Sequence, residues 1–155
     1  MARQTQQSDN VAATRSAGRL ELNMLSHPNT LRPMRLEGEA FCREAGLSAK
    51  ESDEIGLVLN EAVANVMRHQ YGGATDRPIR VTFERRGGEL EIAIRDWGAP
   101  FDPAKLSKPK LEEMRDADHL KPGGLGLICM YELMDKVEFI RQSDGMLLTM
   151  VKKIG

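Results

Sequence analysis

One mostly apolar helix with a polar stripe constrains this chain more than any other stretch of its sequence. Between positions 56 and 71, Glu61, Asn65 and His69 follow one another at intervals of four residues, which stacks their side chains on one helix face. A carboxylate and an amide one turn apart suit a general base beside one oxygen ligand for a hard cation. An ordinary pair at the helix boundary has the same spacing. The neighbouring faces are apolar and predict a largely buried helix: Ile55, Val58, Leu59, Ala62 and Val66.

Length and charge narrow the class of protein. A chain of 155 residues predicts one domain with a substantial core. Its net charge of −1 carries no electrostatic signature of binding to nucleic acid or to an anionic membrane, so neither partner is expected. The sequence predicts no membrane-spanning helix and no signal peptide. Cys42 and Cys129 lack metal-ligand spacing, which favours a reduced, cytoplasmic protein.

Hydrophobic periodicity predicts the order of the strands and helices. Residues 1–17 are polar and lack an apolar period, so we expect a disordered arm before a single domain at residues 18–155. Prolines interrupt residues 97–123, which predicts a long loop with room for a short helix at 111–118. The order predicts an α+β fold, a two-layer α/β sandwich with a mixed, mostly antiparallel sheet and helices on one face. Strands are predicted at 19–25, 79–85, 89–96, 136–141 and 146–152, and helices at 30–45, 48–69 and 125–134.

Two glycine-containing motifs follow the central helix. Asp96 leaves an apolar strand, where its carboxylate can accept a hydrogen bond from an exocyclic amine such as N6 of adenine, and Gly98 allows close approach or an unusual backbone angle. Gly123, Gly124 and Gly126 open a helix, where backbone N–H groups and the helix dipole favour a phosphate. Taken alone, the first motif also fits a plain strand-end turn, and the second also fits a flexible hinge or tight packing.

The order and spacing of these motifs resemble the GHKL ATPases, the Bergerat-fold group that includes gyrase B and histidine kinase catalytic domains. The N-box corresponds to Glu61-x-x-x-Asn65, the G1 box to Asp96-x-Gly98 and the G2 box to Gly124-x-Gly126. Within the group, the chain looks most like the bacterial anti-sigma-factor serine-protein kinases of partner-switching systems. The similarity covers residues 18–153, nearly the whole chain.

The resemblance implies a site for ATP and Mg²⁺. Asn65 would bind the Mg²⁺ that bridges the phosphates, Glu61 would be the general base, and Asp96 with Gly98 would form the adenine pocket. The positions that would contact the phosphates are Arg68, Lys121, Gly123, Gly124 and Gly126.

One position departs from the family pattern. Several family members place an arginine just before the glycine turn, where this chain has Lys121 followed by Pro122. A lysine supplies a point charge without the bidentate fork of arginine, which leaves the contact to the γ-phosphate open. Residues 102–121 before the turn are expected to form a mobile ATP lid.

Glutamate at position 61 distinguishes between the activities found in the group. Histidine kinases commonly carry asparagine here, because transfer to a neutral imidazole needs no strong base, whereas a serine hydroxyl or a water benefits from one. The resemblance therefore implies a homodimeric kinase that sequesters a sigma factor and phosphorylates a serine on a STAS-type antagonist. A nucleotide-gated binding module without useful kinase activity stays open, as does an ATPase that drives a conformational change.

Overall fold

Six strands form one sheet in the computed structural model, which describes residues 10–105 and 124–155. Across the sheet the order is β1-β2-β3-β4-β6-β5, and each of the described pairs is antiparallel. The predicted α+β class is confirmed, although no parallel pair occurs among the described strands. The elements are β1 (Ala12–Ser16), β2 (Arg19–Leu25), α1 (Leu31–Glu44), α2 (Ala49–Asn65), β3 (Pro78–Arg86), β4 (Glu89–Asp96), α3 (Gly124–Leu133), β5 (Lys136–Gln142) and β6 (Gly145–Lys153).

The helices pack against one face of the sheet. Alternate side chains of β2, β3 and β4 are buried and their neighbours are more exposed, as the period of a pleated strand requires. On β3, for example, Ile79, Val81 and Phe83 are all 1 % exposed or less. The same core takes in buried residues of the helices, among them Met34, Phe41, Leu59, Val63 and Met130.

The central helix α2 begins at the capping box that the sequence predicts. Ser48 Oγ accepts the backbone N–H of Glu51 at 3.1 Å, and the Glu51 carboxylate accepts the N–H of Ser48 at 3.2 Å. The helix ends at Asn65, and a π-helical turn at Val66–Gln70 follows directly. The helical path therefore reaches its predicted end near residue 69, with a wider last turn than the period of 3.6 implies.

The predicted disordered arm is wrong for Ala12–Ser16, which form the edge strand β1 against β2. All five of its side chains are exposed, so the strand leaves no apolar period in the sequence. Backbone pairing holds β1, together with ion pairs from Arg15 to Glu37 at 3.1 Å and to Glu44 at 3.0 Å on α1. Exposed ion pairs contribute little individually, so the backbone ladder is the main attachment. Residues 1–9 lie outside the described part.

Several expectations fall partly or wholly beyond the described residues. The predicted short helix at 111–118 and most of the predicted lid at 102–121 lie there, and the lid's first residues include a 3₁₀ turn at Pro103–Lys105. Within residues 10–105 and 124–155, none of the helices combines the length and the apolar character needed to cross a membrane. Cys42 and Cys129 are both free thiols.

Two glycines inside the helices provide a matched test of how tightly the two layers pack. A Cβ on Gly38 would lie 2.8 Å from both Leu59 and Phe83 in the core, whereas the three atoms nearest to a Cβ on Gly56 all belong to the Glu39 side chain. Gly38→Ala should lower the free energy of unfolding by about 1–3 kcal/mol through overpacking, despite the higher helix propensity of alanine. Gly56→Ala should change it by less than about 1 kcal/mol, because Glu39 can move aside. Urea denaturation of both variants measures the difference, and equal effects would contradict the tight packing at Gly38.

Candidate functional site

Asp96 carries a carboxylate into the interior at the end of β4. The residue is 2 % exposed, and its Oδ1 accepts the backbone N–H of Gly98 at 2.9 Å and Nε2 of Gln70 at 3.0 Å. Its Oδ2 has no hydrogen-bond partner among the residues that the structure describes. One carboxylate oxygen is therefore fixed, and the other is available to accept a hydrogen bond from an amine.

Gly98 allows the chain after β4 to approach the end of the central helical segment. A Cβ at this position would lie 2.8 Å from the carbonyl oxygen of Gln70 and 2.9 Å from its Cβ, closer than side chains tolerate. Its backbone does not take a positive φ. Of the two reasons that the sequence offers for a glycine here, close approach is the one that applies.

Tyr71 fastens the same strand end to β3. Its hydroxyl accepts the backbone N–H of Trp97 at 2.8 Å and donates to the carbonyl oxygen of Pro78. The residue is 8 % exposed, and this burial raises the pKa of the Tyr71 phenol. The neutral hydroxyl therefore bridges two backbone groups directly beside Asp96.

The polar stripe of α2 lies as predicted up to Asn65. Glu61 and Asn65 are both partly buried one turn apart, and Asn65 Oδ1 accepts Nη2 of Arg68 at 2.7 Å. Glu61 forms no hydrogen bond or ion pair with any residue in the described ranges. His69, the third member of the predicted stripe, is exposed in the π turn.

The glycine motif lies at the beginning of α3. Gly124 and Gly126 are in its first turn, where helical N–H groups lack partners within the helix, whereas Lys121 and Gly123 lie outside the described residues. Helix α3 packs against α2. The start of α3 and the polar stripe therefore belong to two helices in contact.

One helical segment links the Glu61–Asn65 part of the predicted site to the Asp96 part. Glu61 and Asn65 occupy α2, and the π turn that continues it supplies Gln70 and leads into Tyr71, the two residues that hold the end of β4. The sequence singles out neither Gln70 nor Tyr71. The available signal is their place in residues 61–71, the segment that resembles the N-box region of the kinases.

The residues present fit a magnesium ion bound through a nucleotide. No group of three or more His, Cys, Asp or Glu side chains within the described ranges is placed to hold a metal. Mg²⁺ commonly takes one or two protein oxygens and completes its shell with phosphates and water. The side-chain oxygen Oδ1 of Asn65 suits that role, because it has two lone pairs and Arg68 donates to only one of them.

Comparisons with known proteins agree with the fold and with the resemblance to the GHKL group. A family model described as the histidine kinase-like ATPase domain matches residues 24–152. The chain is 28% identical over 139 residues to the serine-protein kinase RsbW of Listeria innocua serovar 6a, with 88% of each chain covered. It is 29% identical over 141 residues to the serine-protein kinase RsbW of Bacillus pumilus, with 86% of this chain and 84% of the relative covered.

A solved structure supports the same fold. The structure of the RsbU and RsbW domains of Rv1364c from Mycobacterium tuberculosis matches with a TM-score of 0.62 at 17% identity. The match covers 87% of this chain and 32% of that chain, so this chain corresponds to about a third of the solved one. At that identity the likeness concerns the fold alone.

The Tyr71 bridge leads to a stability prediction. Tyr71→Phe should lower the free energy of unfolding at neutral pH by about 1–3 kcal/mol, because the Trp97 N–H and the Pro78 carbonyl lose a buried partner. Urea denaturation of the two proteins measures this loss. An unchanged midpoint and slope would show that the bridge contributes nothing.

The same substitution should flatten the alkaline loss of stability. Burial raises the pKa of the Tyr71 phenol, so its neutral hydroxyl is favoured in the folded protein. The contribution of Tyr71 to the free energy of unfolding is complete below about pH 10, where free tyrosine titrates, and it is lost as the pH rises through the folded pKa. Cys42 and Tyr131, whose pKa values burial also raises, act in both proteins, so the difference between the two pH profiles isolates Tyr71. Parallel profiles would contradict the prediction.

Proposed function

Since the chain belongs to the histidine kinase-like ATPase domain family, we propose that it binds ATP with Mg²⁺ and transfers the γ-phosphoryl group to a serine of a partner protein. The observation that carries the proposal is the arrangement around α2. This helix presents a partly buried glutamate and asparagine one turn apart, and its continuation holds a buried carboxylate, one oxygen of which has no hydrogen-bond partner among the described residues.

The proposed nucleotide site has three parts: the adenine pocket, the ligand of Mg²⁺ and the phosphate contacts. Oδ2 of Asp96 accepts a hydrogen bond from the exocyclic amine of adenine, and Gly98 forms part of the pocket wall. Asn65 is the protein ligand of Mg²⁺, which when bound would neutralise charge on the phosphate oxygens. Arg68 places a cation beside that ligand. The remaining phosphate contacts in this proposal are Lys121, Gly123, Gly124 and Gly126, the last two at the positive end of the α3 dipole.

Glu61 is the proposed general base for transfer. The serine Oγ attacks the γ-phosphorus, its proton passes to the Glu61 carboxylate, and the bond from the γ-phosphorus to the bridging oxygen of ADP breaks. The products are phosphoserine and ADP. The absence of a described partner on Glu61 supports this role, because no cation or hydrogen-bond donor within residues 10–105 and 124–155 occupies the carboxylate oxygens that would take the proton.

The proposed protein partners follow from the motif resemblance, and the names of the relatives support the kinase activity. The curated relatives are named serine-protein kinases, and the resemblance is to anti-sigma-factor kinases of partner-switching systems. We therefore infer a homodimeric cytoplasmic regulator of transcription that sequesters a sigma factor and phosphorylates a STAS-type antagonist of its own binding.

A second candidate is a nucleotide-gated binding module without useful kinase activity. The sequence Lys121-Pro122 favours it, because a lysine lacks the bidentate fork that an arginine before the glycine turn would offer the γ-phosphate. Glu61 argues against it, because a module that only binds nucleotide has no need of a base at this position.

The nucleotide site predicts two losses of affinity. Asp96→Asn should weaken ATP binding by roughly ten- to a hundredfold, because a charged acceptor that contributes about 1.5–3 kcal/mol becomes a neutral amide. Asn65→Ala should remove the enhancement of binding by Mg²⁺. Calorimetry with and without Mg²⁺ measures both, and Asp53→Asn on the exposed side of α2 is the matched control. Unchanged affinity in both site variants would refute this site.

The kinase assignment predicts that binding and transfer separate at position 61. Glu61→Ala and Glu61→Gln should keep ATP affinity but slow transfer by ~10²–10⁴-fold, the usual contribution of a general base. The measurement follows radiolabelled γ-phosphate into candidate antagonist proteins encoded near the gene, with Glu54→Ala on the same helix as control. Transfer at the parental rate in both variants would refute Glu61 as the base. An unmodified chain that binds ATP but labels no antagonist would favour the binding module.

A further inference from the structure

We propose that Gln70 is a positioning residue that holds the Asp96 carboxylate in the orientation needed to recognise adenine, and so sets the preference of the site for a 6-amino purine. This inference rests on the proposed ATP site. It concerns a residue that has no place among the three family motifs.

The amide of Gln70 spans the strand end and the loop after it. Its Nε2 donates to Asp96 Oδ1 at 3.0 Å and to the carbonyl oxygen of Ala99 at 3.0 Å. Both neighbours only accept, so the amide nitrogen must face them and the amide oxygen must point away. Both of its N–H groups are therefore committed, one to the side chain at the strand end and one to the backbone three residues later.

The π turn brings Gln70 to this position. The turn closes with a hydrogen bond from the Tyr71 N–H to the carbonyl oxygen of Val66 at 3.1 Å, one residue wider than an α-helical turn. Gln70 then contacts Asp96, and Tyr71 contacts the backbone of Trp97. The irregular end of the helix therefore delivers two consecutive side chains to the end of β4.

Two donors occupy one carboxylate oxygen of Asp96, so the other oxygen is the one that can contact the ligand. Oδ1 of Asp96 accepts from Gln70 and from the Gly98 N–H, whereas Oδ2 accepts from no residue in the ranges 10–105 and 124–155 and is the oxygen that can accept from an amine. The terminal torsion of an aspartate is broad, so a carboxylate held by a single donor can rotate. With Gln70 in place, the open acceptor keeps a fixed direction toward the ligand.

A fixed acceptor is what discriminates between purines. A site built to accept a substrate N–H rejects an analogue that lacks it, because its own polar group then stays unpaired. Adenine presents an amine at C6, whereas guanine presents a carbonyl oxygen that a carboxylate repels. If the acceptor direction loosens, the advantage of the amine falls while contacts to ribose and phosphate remain.

The test compares two nucleotides that differ only at C6. Calorimetry measures the affinity of ATP and of purine riboside 5′-triphosphate, which lacks the amine, for the unmodified chain and for Gln70→Met. The substitution keeps the side-chain length and removes both donors. ATP affinity should fall about three- to tenfold, the size of one hydrogen bond, with less than about twofold change for the analogue.

Two further variants make the result decisive. Gln70→Glu keeps the side-chain shape but places a second carboxylate beside Asp96. Its preference for ATP over the analogue should therefore fall further than that of Gln70→Met. This variant also repeats the test if the methionine variant fails to fold. His69→Met, an exposed neighbour in the same turn, should leave both affinities unchanged.

Three outcomes would overturn the inference. An equal fall for both nucleotides would mean that Gln70 only stabilises the fold, and unchanged ATP affinity in both Gln70 variants would mean that Asp96 is oriented without it. An unmodified chain that binds neither nucleotide would overturn the proposed ATP site itself, and this inference with it. The first two outcomes leave the proposed function intact.

Discussion

A carboxylate buried at the end of an apolar strand has to be compensated by its surroundings, since taking an ion out of water costs several kcal/mol. In this protein the compensation comes from the Gly98 N–H and the Gln70 amide, both on one oxygen of Asp96. Gln70 can reach that oxygen because the central helix ends in a wide turn, and the turn can lie so close because Gly98 has no side chain. These departures from regular geometry therefore answer one electrostatic requirement.

The central helix joins this requirement to the rest of the molecule. Its apolar residues Ile55, Leu59 and Val63 lie in the core, so the helix has one position against the sheet. The polar residues Glu61 and Asn65 are then fixed relative to the strand end that the following turn holds. Binding sites built on packed elements keep their geometry better than sites on loops, because core packing resists small displacements.

The sequence predicts what periodicity and local chemistry encode. Five of the six described strands follow from alternating residues, and the beginning of α2 follows from Ser48 and Glu51, which bond as a capping box. Strand β1 could not be predicted, because its exposed residues carry no period and only pairing with β2 defines it. The role of Gln70 could not be predicted for another reason. A glutamine at a helix end looks like any surface residue, and its partner Asp96 lies 26 positions further along the chain.

The strand order has a consequence for the nascent chain. Strand β4 lies inside the folded sheet, but its neighbour β6 is made much later, and the register that pairs Asp96 with Met146 joins positions far apart in synthesis. Until β6 leaves the ribosome, β4 is an edge strand with unpaired backbone groups, of the kind that invites aggregation. The wall of the site beside Asp96 is completed only by that late strand, where Gly145 lets the backbone pass close to the Asp96 carbonyl. The end of β4 that carries Asp96 therefore gains its second backbone neighbour only after about fifty further residues have been made.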